Sequence, residues 1–343
     1  MKALILTCRF GMGHYSVSDS IEKELKKKGY DTLIVDLMDY IYPFASKSIY
    51  LVFEYMVKHQ PNLYNMASSR GNGDKPPFKM YGLIRMKKLI KEFNANIIIS
   101  TFPVCASYAS NLKDHYNKDV KLYTYITDFF PSKEWISKNT DIYFVASFDT
   151  KNILIKEGIS EDKIVVSGIP VREEFMTPTK KKIGKKILIM GGGLGIIPEV
   201  YDIIEKLIQL DGAKITVITG SNQVMYQKLK EKYNNIEIIG FTDKMYEYLS
   251  NANLLITKPG GITVFEAIRT NTPLCIIKPF LKQEMVNAKF IVENNMGIEI
   301  NVKNKDFNDR IESLFKAGTI EKIEKNMKSF TKKLEPICPD KYY

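Results

Sequence analysis

Paired glycines stand where an apolar run gives way to a helical pattern, in the segment Lys258-Pro259-Gly260-Gly261. The start of a helix leaves backbone N–H groups free and carries the positive end of the helix dipole, so such a junction favours an anion. Glycines there let a diphosphate approach the backbone closely. The spacing of Thr263 and Glu266 also fits a capping box, which needs no ligand. A cap does not require Pro-Gly-Gly before it, so we predict a phosphate-binding loop.

A second glycine-rich loop, Gly191-Gly192-Gly193-Leu194-Gly195, follows the apolar run 187–190. It lacks the Gly-Lys-Ser/Thr of a P-loop, and its glycine spacing is not that of a dinucleotide site. A tight turn between a strand and a helix explains it nearly as well as a ligand contact. Two such loops in one domain are stronger evidence than either alone, and Gly192 and Gly193 are the candidate contacts.

Polar side chains cluster after the apolar run 274–277, at Gln283, Glu284 and Asn287. If a helix begins after Pro279, Gln283 and Asn287 share a face with Glu284 beside them. Amide and carboxylate groups together supply the donors and acceptors that sugar hydroxyls need. A solvated helix start accounts for the same residues, so both interpretations stay open on the pattern alone.

His14 ends the loop Gly11-Met12-Gly13 at the predicted start of the first helix. A helix N-terminus disfavours the imidazolium form, and a neutral imidazole near pH 7 can accept a proton from a hydroxyl group. We therefore predict that His14 is a catalytic base; a capping or packing histidine is the alternative. Asp128 ends a later strand on what should be the same sheet edge. It either orients His14 or is itself the base.

Short apolar strands alternate with helical patterns in two series along the chain. The first series is 3–7, 32–35, 97–100, 122–126 and 142–145, and the second is 187–190, 215–218, 236–239, 254–257 and 274–277. This alternation predicts parallel sheets with right-handed crossovers, and so two doubly wound α/β domains that join near 168–172. Ligands bind beyond the carboxyl ends of such strands, so two facing sheets would hold a ligand in the cleft between them.

The net charge of +11 is concentrated in one stretch. Residues 41–93 hold nine Lys and Arg against three acids, interleaved with aromatic residues. Basic and aromatic side chains together suit an anionic membrane surface. A solvated face over a tyrosine-rich core is the main alternative, and single-stranded nucleic acid is a lesser one. We predict contact with an anionic membrane through 41–93, and no nucleic-acid partner.

Four widely separated cysteines and only three histidines argue against a structural zinc site. Free thiols are typical of an intracellular protein. The N-terminus shows no signal-peptide pattern, and no apolar run approaches the roughly 18 residues of a membrane span. These features predict a cytoplasmic protein that lies on the inner face of the membrane without crossing it.

The motifs, taken in order, resemble one known family. They are Phe10-Gly11-Met12-Gly13-His14, Ser100-Thr101-Phe102-Pro103, Thr127-Asp128 with Trp135, Gly168-Ile169-Pro170-Val171-Arg172, and Lys258 to Thr263, followed by Glu266 and Gln283-Glu284. This set is similar to the processive diacylglycerol glucosyltransferases of Gram-positive bacteria. Those enzymes are relatives of plant monogalactosyldiacylglycerol synthase and of the lipid II N-acetylglucosaminyltransferase, in glycosyltransferase family 28.

The resemblance implies the GT-B architecture, two Rossmann-like domains facing a cleft, and an inverting transfer without a bound metal or other cofactor. The chain has no Asp-x-Asp motif, which a metal-dependent transferase would need to hold the ion. We expect an acceptor- and membrane-facing domain at 1–167, a linker at 168–184 and a UDP-sugar domain at 185–319. A C-terminal helix at 320–343 is expected to pack back on the N-terminal domain.

The resemblance also implies roles for single residues. Glu266 would hold the ribose, and Gln283 with Glu284 the sugar. Arg172, the Gly191 loop and Thr263 would neutralise the diphosphate, while the backbone near Gly240 and Phe241 would contact uracil. Charge on the departing diphosphate grows in the transition state, so these groups would accelerate the reaction as well as bind the donor.

The expected reaction is transfer of glucose from a UDP-sugar to diacylglycerol or a glycosyl-diacylglycerol. One alternative is a UDP-sugar 2-epimerase, which shares the fold and donor pocket but needs neither a lipid nor the 41–93 stretch. The other is a non-catalytic UDP-sugar-binding regulator, which would lose little when His14 is replaced by Ala. Glucose and galactose differ by the configuration of one hydroxyl, and the sequence does not distinguish them.

Overall fold

The computed structural model describes residues 1–10, 13–60, 74–76, 79–116, 119–177, 184–279 and 281–342, without the side chains of residues 57–59 and 282. The chain forms two compact units, Met1–Arg172 together with Leu334–Tyr343, and Glu173–Lys333. Each unit contains a six-stranded sheet in which every pairing is parallel. The predicted architecture of two doubly wound α/β domains is confirmed.

The first unit alternates strands and helices from its first residues. Its strands are β1 (Lys2–Thr7), β2 (Asp31–Asp36), β3 (Ile97–Ser100), β4 (Lys121–Tyr125), β5 (Ile142–Val145) and β6 (Ile164–Val166). Its helices are α1 (Gly13–Lys27), α2 (Leu37–Ile41), α3 (Ser46–His59), α4 (Lys79–Phe93), α5 (Pro103–His115) and α6 (Phe148–Lys156), with short 3₁₀ turns at Lys133–Trp135 and Glu161–Lys163. The strand order is β2-β1-β3-β4-β5-β6.

This order reverses at β1, because the chain passes from β1 to β2 on one side and returns to β3 on the other. At such a switch point the loops leaving the two strands diverge and open a crevice at their carboxyl ends. Leu6 pairs with Ser100, so the loops after β1 and β3 begin side by side. His14 lies in the loop and helix start that follow β1.

The second unit repeats the pattern. Its strands are β7 (Lys185–Met190), β8 (Ala213–Ile218), β9 (Glu237–Ile239), β10 (Leu254–Thr257), β11 (Leu274–Ile277) and β12 (Gly297–Ile300). Its helices are α7 (Val200–Leu207), α8 (Gln223–Lys232), α9 (Met245–Asn251), α10 (Gly261–Arg269), α11 (Lys282–Glu293), α12 (Phe307–Leu314) and α13 (Thr319–Thr331), with a 3₁₀ turn at Glu173–Met176. The strand order is β12-β11-β10-β7-β8-β9.

The switch point of this sheet lies between β7 and β10, since the chain moves from β7 towards β9 and then crosses back to β10. Met190 pairs with Thr257, so the two strands end at the same level. The glycine-rich loop at 191–195 and the loop at 258–261 therefore leave neighbouring strands at the place where a doubly wound sheet binds its ligand. Their shared position could not be read from the sequence, which does not give strand order.

The strands are continuous apolar runs because helices cover both faces of a parallel sheet. All ten predicted strands are present, with ends displaced by no more than two residues. The sequence pattern does not predict β6 and β12, of which β6 has only three residues. In the first unit the packing of α4 on α5 requires Gly82, because a Cβ there would lie 2.1 Å from the Tyr108 ring.

The C-terminal region differs from its expected form. The helix α13 is shorter than 320–343, and it packs on α10 within the second unit, where the Phe330 ring contacts Phe265 and Phe290. Only the residues after it, Leu334–Tyr343, belong to the first unit. There the Tyr125 hydroxyl donates to the Ile337 carbonyl at 2.7 Å. The helix expected at 320–343 is thus corrected to Thr319–Thr331 within the second unit, and the part of that segment that joins the first unit is 334–343.

No helix among the described residues is long and apolar enough to cross a bilayer.

Candidate active site

His14 is the second residue of α1, and its side chain contacts residues that follow two neighbouring strands. Nδ1 lies 3.1 Å from the carbonyl oxygen of Thr101, after β3, and 3.1 Å from the hydroxyl of Thr127, after β4. The carboxyl ends of β1, β3 and β4 thus meet at one imidazole. The placement of His14 at the sheet's switch point agrees with its predicted role.

The contacts at Nδ1 fix the tautomer of the ring. A carbonyl oxygen only accepts hydrogen bonds, so Nδ1 carries the proton and Nε2 keeps its lone pair. Burial lowers the pKa of His14 to about 4, against the opposing effect of the hydrogen bond to Thr101. The ring is neutral at pH 7, as the sequence predicts, although burial is the main cause. Nε2 of His14 can therefore accept a proton.

A set of contacts holds Thr101, which in turn positions the ring. The Thr101 N–H donates to the Leu6 carbonyl at 3.1 Å. Its hydroxyl lies 3.0 Å from the hydroxyl of Ser18, which also donates to the His14 carbonyl at 3.0 Å. The edge of the imidazole meets the Phe102 ring at a centroid distance of 4.8 Å. The ring therefore has a fixed orientation before any substrate binds.

Asp128 is half-buried and directly follows Thr127 at the end of β4. The structure therefore brings it to the same sheet edge as His14. The hydrogen bonds that orient Nδ1 come from Thr101 and Thr127, to which the sequence pattern assigns no role. The sequence did carry a signal for Thr101 and Thr127, because each threonine follows a buried strand at this sheet edge.

The predicted phosphate loop begins helix α10, with Gly260 as the N-cap residue and no side-chain cap. Thr263 is the third helical residue, and the alternative explanation by a capping box is wrong because the helix starts two residues before Thr263. The first-turn N–H groups of Gly261, Ile262 and Thr263 lie outside the intrahelical hydrogen-bond ladder. These donors face the switch point of the sheet, as an anion site requires.

Neither the backbone angles nor the packing of Gly260 requires a glycine. Its backbone angles, φ −67° and ψ 133°, are available to any residue. A Cβ added there would meet no atom of the described residues within 4 Å. The space in front of Gly260 is open and its backbone conformation is ordinary. We therefore infer that the glycine lets a ligand approach the backbone closely.

The loop at 191–195 is built differently. Gly195 has φ +62°, and a Cβ there would lie 1.7 Å from the Thr219 carbonyl oxygen. A Cβ on Gly191 would lie 2.3 Å from the carbonyl oxygen of Ile196, and Gly192 has φ +70°. The Gly193 carbonyl accepts from the Ser221 N–H at 2.9 Å. A tight turn therefore explains most of these glycines, while the half-buried Gly192 and Gly193 remain candidate contacts beside the β10 loop.

Helix α11 packs its polar residues against the loop that precedes α10. The Asn287 amide is fully buried and donates to the Pro259 carbonyl at 2.8 Å. The Glu284 carboxylate, only 6% exposed, lies 3.2 Å from the ammonium group of Lys258. A solvated helix start is therefore the wrong explanation for these two residues. Gln283 is half-buried on the first turn of the same helix.

Three further predicted donor residues lie at other positions in the chain. Glu266 is buried within α10, close in sequence to the loop. Phe241 follows β9, the edge strand, and its side chain is 61% exposed. Arg172 is half-buried and is the last residue of the first unit before the chain enters the second. The β10 loop is joined to α11 by the contacts of Lys258 with Glu284 and of Pro259 with Asn287.

No group of three or more His, Cys, Asp or Glu within the described residues could hold a metal ion.

Two protein-family models match the chain, one on each unit. The model for monogalactosyldiacylglycerol (MGDG) synthase matches residues 14–171, and the model for the glycosyltransferase family 28 C-terminal domain matches residues 186–336. A processive diacylglycerol beta-glucosyltransferase from Bacillus cereus (strain B4264) is 29% identical over 330 residues, which cover 87% of this chain and 82% of the relative.

Solved structures share the fold at lower identity. MurG of Acinetobacter baumannii superposes with a TM-score of 0.65 at 15% identity, covering 98% of this chain and 96% of that one. A UDP-GlcNAc 2-epimerase from Neisseria meningitidis, bound to UDP-GlcNAc, gives a TM-score of 0.59 at 14% identity, with 95% and 94% covered. The fold is therefore that of GT-B proteins, and this likeness alone does not separate a transferase from an epimerase.

Proposed function

We propose that this chain transfers glucose from UDP-glucose to diacylglycerol. It would act as a UDP-sugar-dependent hexosyltransferase of the group that contains the diacylglycerol glucosyltransferases and MGDG synthases. The product would be a β-glucoside, which can itself accept a further glucose. The relative from Bacillus cereus is named a processive diacylglycerol beta-glucosyltransferase, and that name supports both diacylglycerol as the acceptor and glucose as the sugar. The observation in the molecule that carries the proposal is the neutral His14 ring, with Nε2 available as a base at the switch point of the first unit.

The donor would bind to the second unit at its own switch point. The N–H groups at the start of α10 would hold the diphosphate, with Gly260 leaving room for its approach. Thr263, Arg172 and the loop at 192–193 are the further diphosphate contacts that we propose. Glu266 would bind the ribose, and the backbone at Phe241 the uracil.

The sugar would lie against the first turn of α11. Gln283, Glu284 and Asn287 offer it amide and carboxylate groups, and the ammonium group of Lys258, 3.2 Å from the Glu284 carboxylate, holds that carboxylate in place. Hydrogen bonds from N–H groups strengthen as charge develops on the leaving diphosphate, so the same contacts would lower the barrier. We propose that they replace a metal ion, and that the enzyme needs no cofactor.

Transfer would proceed in a single displacement. The acceptor hydroxyl oxygen forms a bond to C1 of glucose while the bond from C1 to the diphosphate oxygen breaks. The electron pair of that bond leaves with UDP, and the hydroxyl proton passes to Nε2 of His14. Attack from the opposite face inverts the anomeric centre, which gives the β-product. Asp128 would stabilise the imidazolium ion that forms, or serve as the base in its place.

The acceptor is a membrane lipid, and the exposed apolar side chains of the first unit support membrane contact. Seven of the eleven large apolar side chains that are more than half exposed in the described chain lie between residues 44 and 84: Phe44, Leu51, Val52, Tyr55, Met80, Tyr81 and Ile84. An ordinary solvated face does not concentrate such side chains. Lys47 in α3 and the lysines of α4 would add attraction to anionic lipids. Of the predicted stretch 41–93, residues 61–73, 77 and 78 lie outside the described residues.

The test is product formation from labelled UDP-glucose and diacylglycerol liposomes by the purified protein. UDP-galactose and UDP-GlcNAc in parallel reactions identify the hexose. We expect His14→Ala to reduce turnover at least about 100-fold while UDP binding is kept, since a general base contributes roughly 10²- to 10⁴-fold. A chelator should leave the rate unchanged. Interconversion of free UDP-sugars without lipid would instead identify an epimerase, and UDP-sugar binding with no turnover would identify a regulator.

A further inference from the structure

An apolar cavity of about 340 Å³ lies beside His14 in the first unit. Its walls come from the β1–α1 loop, from α2 and α3, and from the start of α5. The lining side chains are Phe10, Met38, Ala45, Ile49, Phe102 and Val104, with the ring of Tyr42. The Tyr42 hydroxyl is engaged by the hydroxyl of Tyr108 at 2.8 Å. Among the described residues, the lining therefore offers no unpaired side-chain polar group to a ligand.

One wall of this cavity lies next to the proposed base. Phe102 forms part of the wall and also makes the edge contact with the His14 ring, at 4.8 Å between centroids. Phe10, which lines the cavity too, stacks on Phe102 at 5.0 Å. One aromatic ring thus separates the apolar space from the imidazole.

The outer end reaches the molecular surface. Ala45 lines the cavity and is itself exposed, and its neighbour Phe44 is fully exposed. Phe44 belongs to the exposed apolar side chains for which membrane contact is proposed above. The cavity is therefore an apolar space bounded on one side by exposed residues and on another by Phe102, the ring that contacts the base.

We propose that this cavity holds the first carbons of one acyl chain of the acceptor, an assignment that rests on the proposed lipid acceptor. A chain seated between Phe102 and Ala45 leaves the glycerol hydroxyl at the His14 end and the remaining methylenes at the surface. A sugar or phosphate would lose its hydrogen bonds with water and gain none from these walls. The acyl chain is thus bound by the enzyme, and it aligns the hydroxyl with Nε2.

The proposal predicts how the reaction depends on chain length. For acceptors that are monomeric in water, each methylene that enters the cavity should raise kcat/KM about fourfold, which corresponds to ~0.8 kcal/mol per methylene. The increase should level off once the cavity is filled. Without the cavity, chain length would change kcat/KM little below the concentration at which the acceptor aggregates.

The experiment uses 1-acylglycerols of four to ten carbons, kept monomeric, with the wild-type enzyme and two variants. Ala45→Phe places a ring in the mouth of the cavity at an exposed position, so folding should be kept, and a thermal melt checks this. Ser48→Phe is the matched control, because Ser48 is an exposed residue of the same helix outside the cavity lining. We expect the ratio of kcat/KM between the ten- and four-carbon acceptors to fall at least tenfold in Ala45→Phe and to stay in Ser48→Phe.

Val104→Phe fills the cavity from α5 rather than from Ala45. It should also lower the ratio of kcat/KM between the ten- and four-carbon acceptors. A wild-type ratio near one, or equal ratios in all folded variants, would overturn the cavity assignment and leave the glucosyltransferase proposal intact. Absence of transfer to every acylglycerol and to diacylglycerol liposomes by the wild-type enzyme would instead overturn the proposed function.

Discussion

Replacement of Gly260 by Ala separates a ligand-binding glycine from a structural one. Within the part of the chain that the structure describes, the added Cβ meets no atom within 4 Å, and the backbone angles suit alanine. The loss of unfolded-state entropy should stabilise the protein by about 0.4–1 kcal/mol. Alanine is a poorer N-cap residue than glycine, which costs a comparable amount. We therefore expect the free energy of unfolding to change by less than about 1 kcal/mol.

The same substitution should weaken donor binding, although the free energy of unfolding changes little. The methyl group would occupy the space through which the diphosphate reaches the N–H groups at the start of α10. Loss of one hydrogen bond to a charged group costs about 1.5–3 kcal/mol, or roughly 10- to 150-fold in the Kd for UDP. Isothermal titration with UDP and denaturant unfolding followed by circular dichroism measure the two effects on the same preparation.

The matched control is Gly195→Ala in the neighbouring loop. Gly195 has φ +62°, and a Cβ would lie 1.7 Å from the Thr219 carbonyl oxygen, so the turn has to move. Strain and overpacking should lower the free energy of unfolding by more than about 2 kcal/mol. The reasoning fails if Gly260→Ala is destabilised as much as this control, or if it binds UDP as tightly as the wild type.

Three further outcomes follow from contacts in the two units. Because burial lowers the pKa of His14 to about 4, the ring should remain a competent base down to that pH; kcat/KM should show no inflection near pH 6.5, and a midpoint there would contradict the assignment. Asn287→Leu removes the buried donor to the Pro259 carbonyl at 2.8 Å, and should lower the free energy of unfolding by about 1–3 kcal/mol and raise the KM for the donor, whereas an unchanged KM would show that this contact does not position the loop. Leu51→Asp should sediment less with anionic vesicles, while Leu33→Asp, which makes the same charge change at another exposed position, should bind as the wild type does; equal loss in both would point to net charge alone.

The sequence predicts the strands of this fold well, since each is a short apolar run between turn signals. It does not predict that β7 lies beside β10 or β1 beside β3, because strand order depends on long-range pairing. This is why the shared position of the loops at 191 and 258 emerges only in the structure. The capping box that Thr263 and Glu266 offered as an alternative fails for a local reason. Their spacing fits a cap, but Gly261 already starts the helix and leaves Thr263 in its first turn.

The orientation of His14 was beyond sequence reasoning for another reason. One of its two partners is the backbone carbonyl of Thr101, and a backbone group leaves no trace in residue types. The apolar cavity is hidden in the same way, because its walls come from four separate segments whose residues each resemble ordinary core. Residue patterns thus predict which side chains can do chemistry, while the atoms that set protonation and alignment depend on the fold.

Backbone groups near the ends of strands position the chemistry in both candidate centres. In the first unit the Thr101 carbonyl fixes the imidazole tautomer, and the pairing of Leu6 with Ser100 sets its position. In the second unit the N–H groups at the start of α10 are the expected phosphate donors, and their level is set by the pairing of Met190 with Thr257. Sheet pairing is among the most stable parts of a fold. Substitutions of lining side chains such as Ala45 should therefore change which acceptor is used, and leave the geometry of proton transfer and phosphate binding in place.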